Sequence, residues 1–106
     1  MTIPPSITYG IFTDIVYGQT YNDHAGITVA GTVTVMPQVA QRTDYFFLNE
    51  SGSVAMRVNL GPVPASSTIG IMVNPGFLWE PRCVCAQQMT VWCSVAGQNF
   101  SAGEWV

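Results

Sequence analysis

The chain has 106 residues, 48% of them hydrophobic and only 8% charged, with six acids against three arginines, no lysine and a net charge of −3. An ordinary soluble domain carries about a quarter charged residues, and a chain this short has room for one domain with a single modest core. Phosphate binding needs clustered cations, which three scattered arginines do not make, and the longest apolar runs fall far short of the ~20 residues that span a bilayer, so neither nucleic acid nor membrane is expected as a partner.

The N-terminal "MTIPPSITYG" lacks the basic and continuous apolar regions of a secretory signal, so folding in a cytosol is expected. Apolar residues then recur at every second position: Ile7, Tyr9, Ile11, then Ile15 and Tyr17, with Ser6, Thr8 and Asp14 between them. This is strand spacing. Residues 1–25 read either as the first strand of the domain or as an arm that packs on a neighbouring subunit. In the second reading Ile7, Tyr9, Ile11, Phe12, Ile15 and Tyr17 form the partner interface. The remaining residues, 26–106, read as one β domain.

Regular alternation begins with "GITVAGTVTVM" at 26–36, where Ile27, Val29, Val33 and Val35 are expected on one face and Thr28, Thr32 and Thr34 on the other. Two apolar runs within 44–61 flank "NESGS", which reads as a hairpin closed at Gly52. In the second run Val54, Met56, Val58 and Leu60 oppose Ser53, Ala55, Arg57 and Asn59. "GPVPASST" at 61–68 cannot sit in a central strand and reads as a loop. "NPG" at 74–76 has the residues of a type II turn. Met89, Val91, Cys93 and Val95 alternate with Thr90, Trp92 and Ser94, and "AGQN" at 96–99 leads into the last strand. No window has sustained helical periodicity. The expected fold is all-β, an antiparallel sandwich or small jelly-roll-like barrel with little or no helix.

Motifs that carry chemistry are few. Cys83, Cys85 and Cys93, with the single histidine His24, could nominally supply four zinc ligands, but zinc knuckles usually use C-x2-C spacing. Cys83 and Cys85 are one strand period apart and would point to the same face. Free buried thiols are the expectation, with no metal and no cofactor; a disulfide from Cys93 to one of the other two would require neighbouring strands. Asp23-His24 lacks a recognisable nucleophile or orienting partner and reads as an exposed loop. No nucleophile elbow, P-loop, zinc-protease or dinucleotide fingerprint occurs, so a non-enzymatic protein is expected. The sequons at Asn49 and Asn99 read as chance matches or turn chemistry. Trp79, Trp92 and Trp105, with Tyr9, Tyr17 and Tyr21, read as core or subunit-interface anchors, or alternatively as a carbohydrate groove.

The run "RTDYFFLNESGSVAMRVNLG", followed by "STIGIMVNPGFLWEPR" and the terminus "AGQNFSAGEWV", resembles a group of small β-rich virion proteins of tailed bacteriophages. The residues that carry the likeness are Arg42, Leu48, Asn49, Ser51, Gly52, Val58, Asn59, Gly61, Pro75, Gly76, Glu80, Pro81, Glu104 and Trp105, within 26–106. The resemblance implies a structural part of a virus particle, made in the bacterial cytoplasm and located on the capsid surface. Its expected role is a capsid decoration or cement protein that binds the major capsid protein lattice as a homotrimer. A small fibre or tail-tip component, or a host-receptor-binding adhesin, is the alternative. Composition points independently to shared surface, because so much apolar material can hardly fit inside one small core.

Overall fold

The computed structural model describes residues 20–80 and 85–106. Ile7, Tyr9, Ile11, Phe12, Ile15, Tyr17 and Cys83 lie outside the described residues. The described residues form nine strands and no helix: β1 (Tyr21–Asp23), β2 (Gly26–Ile27), β3 (Gly31–Met36), β4 (Asp44–Asn49), β5 (Met56–Leu60), β6 (Ile71–Val73), β7 (Leu78–Trp79), β8 (Met89–Cys93) and β9 (Asn99–Trp105).

Two antiparallel sheets face each other. In the first, β1 and β2 pair in succession along β9, followed by β4 and then β7; the second has the order β3-β8-β5-β6. With β1 and β2 taken as one interrupted edge, the antiparallel pairs β2–β9, β3–β8, β4–β7 and β5–β6 nest inside one another. A long hairpin folded at β5–β6 and rolled up gives this order, which is the jelly-roll connectivity. The expected all-β class is therefore observed, as an antiparallel two-sheet sandwich with jelly-roll connectivity.

The core sits between the sheets because alternation works on both. Tyr45 and Phe47 of β4, Met56 and Val58 of β5, Met89, Val91 and Cys93 of β8, and Phe100 and Ala102 of β9 all point inward and are buried. Phe47 and Phe100 stack across neighbouring strands at 5.2 Å between ring centroids. A bulge between Thr34 and Met36 shifts the β3–β8 register, and the extra residue lets Val35 and Met36 both be buried.

Two expectations are corrected. The runs flanking "NESGS" do not form a hairpin: β4 belongs to the first sheet and β5 to the second, and each has other strands on both sides. The connection is a corner built by side chains. Asn49 donates through Nδ2 to the carbonyls of Val54 and Val73, both at 2.9 Å, and accepts from Ser51 N. Ser51 Oγ then accepts from the amides of Ser53 and Val54. Asn49 is completely buried, so in the folded chain its sequon is a structural corner.

The second correction concerns Ile27 and Val29, which are exposed where a core position was expected, while Thr28 is buried. Between β2 and β3 the chain leaves the first sheet for the second through a tight turn, with Gly31 N bonded to Val29 O at 2.8 Å, and that turn resets the facing of the alternation. Thr28 fills the inward position by donating to Val95 O and accepting from Gln98 N.

The "NPG" turn forms as expected, with Phe77 N bonded to Asn74 O at 3.0 Å and Gly76 at φ 78°. It passes the chain from β6 in the second sheet to β7 in the first. Residues 61–68 form the expected loop, and it folds back over the second sheet. Ala65 N bonds Thr90 Oγ1, Thr32 Oγ1 bonds Ala65 O, and Asn59 Nδ2 bonds Val63 O.

Candidate functional site

Three features outside the apolar core have the residue types that do chemistry or recognition. The first is an ionic cluster at one end of the sandwich. On β9, Phe100, Ala102 and Glu104 share the inward face, so the alternation that buries two apolar side chains also buries a carboxylate, 3% exposed. A buried charge must be paired. Arg42, 1% exposed, precedes β4 and donates from Nε to Glu104 Oε1 at 2.7 Å. Its Nη1 donates to the carbonyls of Cys85 and Gln87, and its Nη2 to Pro37 O, so four of the five guanidinium protons are used.

His24 takes the other carboxylate oxygen, Nε2 to Oε2 at 2.8 Å. The expectation that Asp23-His24 is an exposed loop is therefore corrected for His24: its backbone N bonds Ala102 O, which extends the β1–β9 pairing and brings the ring over the end of the sandwich. Burial by itself would push the Glu104 carboxyl up, but the hydrogen bonds from His24 and Arg42, together with their charges, outweigh it and hold it below the ordinary carboxylate range. Both oxygens are occupied. The cluster ties β9 to the segment after β1 and, through Arg42, to the β3–β4 and β7–β8 connections, which suits it to a clasp rather than to proton transfer.

The second feature is the outer face of the first sheet. Pairing places Ile27 opposite Asn99, Leu48 opposite Ser101 and Leu78, Phe46 opposite Gly103, and Tyr21 opposite Trp105. All lie on the side away from the buried partners Tyr45, Phe47, Phe100 and Ala102. An antiparallel sheet facing water normally alternates apolar inward with polar outward. Here six outward positions are apolar, with Asp23, Asp44, Asn99 and Ser101 on the same face. Ile27 is 61% exposed, Leu78 54% and Tyr21 44%; Phe46, Leu48 and Trp105 are half-buried. Trp105 lies between Tyr21 and Phe46, with centroids 4.9 and 6.3 Å away. Gly103 permits this arrangement, since a Cβ there would collide with the Tyr21 ring. Phe77, just before β7, is 61% exposed.

The third feature is a groove of about 380 Å3 on the outer face of the second sheet, bordered by Arg57, Met72, Trp92, Ser53, Ser67 and Ser94.

The three tryptophans lie in three different places. Trp79 packs against the core, Trp105 stands on the first sheet and Trp92 on the second, so they do not line one common groove. Cys85 is half-buried and Cys93 buried, both as free thiols. Among the described residues no group of three or more His, Cys, Asp and Glu side chains is placed to hold a metal ion. The proposed interface residues Ile7 to Tyr17 fall outside the described residues, whereas the apolar outer face of the first sheet was not anticipated. Its signal was present in "DYFFLN", where Phe46 and Leu48 are as apolar as their inward neighbours. Compared with known proteins, the sequence matches no family model and no curated relative.

Proposed function

We propose that the protein is a non-enzymatic structural component of a tailed-bacteriophage particle, a decoration protein that binds the major capsid protein lattice as a homotrimer and stabilises the shell. The observation that carries this reading is the apolar outer face of the first sheet. Clustered exposed apolar side chains mark an interaction site, and these six lie on a face that would be polar in a solitary sandwich. The rolled connectivity recurs in viral capsid and lectin domains, a fold-level analogy that agrees with the sequence resemblance.

The magnitudes favour assembly over tight pairwise binding. Each of the six side chains is already partly covered, so burying the rest contributes about 1 kcal/mol apiece. Counting both sides of a contact with an equally apolar neighbouring surface, the gain is on the order of 10 kcal/mol. Lost translational and rotational freedom costs about 4 kcal/mol or more, which leaves association in the tens of micromolar. A closed ring docked on a repeating lattice multiplies such contacts through avidity, and low charge keeps them insensitive to salt.

The test is addition of purified protein to expanded, undecorated shells. Stoichiometric binding and a higher rupture temperature are expected. Shells that neither bind the protein nor gain thermal resistance would overturn the reading.

A further inference from the structure

The outer face of the second sheet carries a row of paired residues, Thr32 beside Trp92, Trp92 beside Arg57, and Arg57 beside Met72. The adjacent row is covered by the loop at 61–68, which Thr32, Asn59 and Thr90 hold down. That loop therefore walls one side of the groove with Ser67, while Ser53 and Ser94 border it elsewhere.

Arg57 is half-buried in this groove, and among the described residues no acidic side chain lines it. Among the described residues its guanidinium is anchored by a single bond, Nη1 to Gly70 O at 3.1 Å. In contrast to Arg42, it has no carboxylate partner among the described residues, in a chain whose acids outnumber its cations. A planar guanidinium with free donors is suited to a two-pronged carboxylate contact.

We propose that this groove binds a carboxylated sugar, with the carboxylate on Arg57, the apolar C–H surface of the ring against Trp92, and hydroxyls on the bordering serines. A volume of about 380 Å3 falls at the lower end of the range for small-ligand sites. A peptide fits less well, because the two anchoring side chains Arg57 and Trp92 stand on β5 and β8, interior strands whose own backbone has no free edge for an extended chain to pair with. The groove and the proposed assembly face are on opposite sheets, so either reading can fail while the other stands.

The experiment is titration of the full chain followed by amide and side-chain nitrogen NMR, reading the Trp92 indole N–H and the Arg57 Nε–H. The probes are galacturonic acid, glucuronic acid and N-acetylneuraminic acid, with galactose, acetate and the tripeptide Gly-Glu-Gly as comparators. At least one acidic sugar should shift both signals saturably below about 50 mM, with galactose and acetate at least about tenfold weaker. Arg57→Gln should weaken that binding about tenfold while keeping the unfolding midpoint, and Trp92→Leu should weaken it as well. Absence of a saturable shift with all three acidic sugars would overturn the proposal. So would galactose, acetate or the tripeptide binding as tightly as the best of them.

Discussion

Replacing Glu104 with glutamine isolates the charge of the clasp. The amide keeps the size of the side chain and an oxygen to accept from Arg42 Nε, so packing and one hydrogen bond survive. The negative charge does not. Arg42 is then a fully buried cation with no anion beside it, facing the carbonyls of Pro37, Cys85 and Gln87, the new amide oxygen and the Tyr45 ring. Breaking a buried pair from one side costs about 3 to 5 kcal/mol, and retention of the hydrogen bond argues for the lower end, about 3 kcal/mol. For a domain of this length the unfolding entropy is about 0.22 kcal/mol/K, which converts that loss into a fall of about 14 °C in midpoint. Thermal and urea unfolding at neutral pH, followed by far-ultraviolet circular dichroism, measure it. A second signature follows from pH. The Glu104 carboxyl is held below its ordinary value in the folded chain, so its stabilisation is complete above the unfolded value near 4.5 and is lost as pH falls through the lowered folded value. The wild type should lose stability over that acid interval, and Glu104→Gln should show a shallower loss there. A variant within about 0.5 kcal/mol of wild type, the ordinary spread for surface substitutions, would refute the clasp.

Three further outcomes are expected. Asn49→Asp exchanges a donor of two buried hydrogen bonds for a carboxylate facing the carbonyls of Val54 and Val73, and should cost about 3 kcal/mol or more in urea unfolding; a neutral effect would mean that the corner does not depend on this side chain. Gly103→Val forces Tyr21 off the sheet and should separate its ring from Trp105, read as loss of near-ultraviolet dichroism with a cost of about 1 to 3 kcal/mol. Unchanged dichroism and stability would contradict that packing. Cys93, fully buried, should stay unreactive toward a thiol reagent in the native protein and react on unfolding, as read by mass mapping of the labelled peptides; rapid native labelling would contradict its place in the core.

The sequence made the architecture legible through its period. Val33, Val35, Met56, Val58, Met89 and Val91 fall inside as their alternation required, and the Pro75-Gly76 turn forms where its residues allow. Which strands pair was less accessible. "NESGS" has the composition of a hairpin turn, yet turn residues specify a change of direction and do not specify whether the chain returns in the same sheet or crosses to the other. The side chains of Asn49 and Ser51 decide this, by spending their hydrogen bonds on the crossing. Ile27 and Val29 escaped for a related reason, since periodicity read across Ala30 and Gly31 assumes an unbroken strand. In the sequence Glu104 stands out only as part of the terminal Glu-Trp pattern. Counting inward from Phe100 would have placed it in the core and required a cationic partner, although nothing local singles out Arg42 over Arg57 or Arg82. The apolar outer face emerges only once β1, β4, β7 and β9 are known to be neighbours, because its members are scattered from Tyr21 to Trp105.

Sedimentation equilibrium of the full chain up to about 100 μM reads association as weak as about −5.5 kcal/mol, and so asks directly whether the outward apolar face is shared between chains. A trimer of the 11.5 kDa chain is expected, which Leu78→Asp converts to monomer without lowering the unfolding midpoint. A wild-type chain that stays monomeric over the whole range would contradict the account.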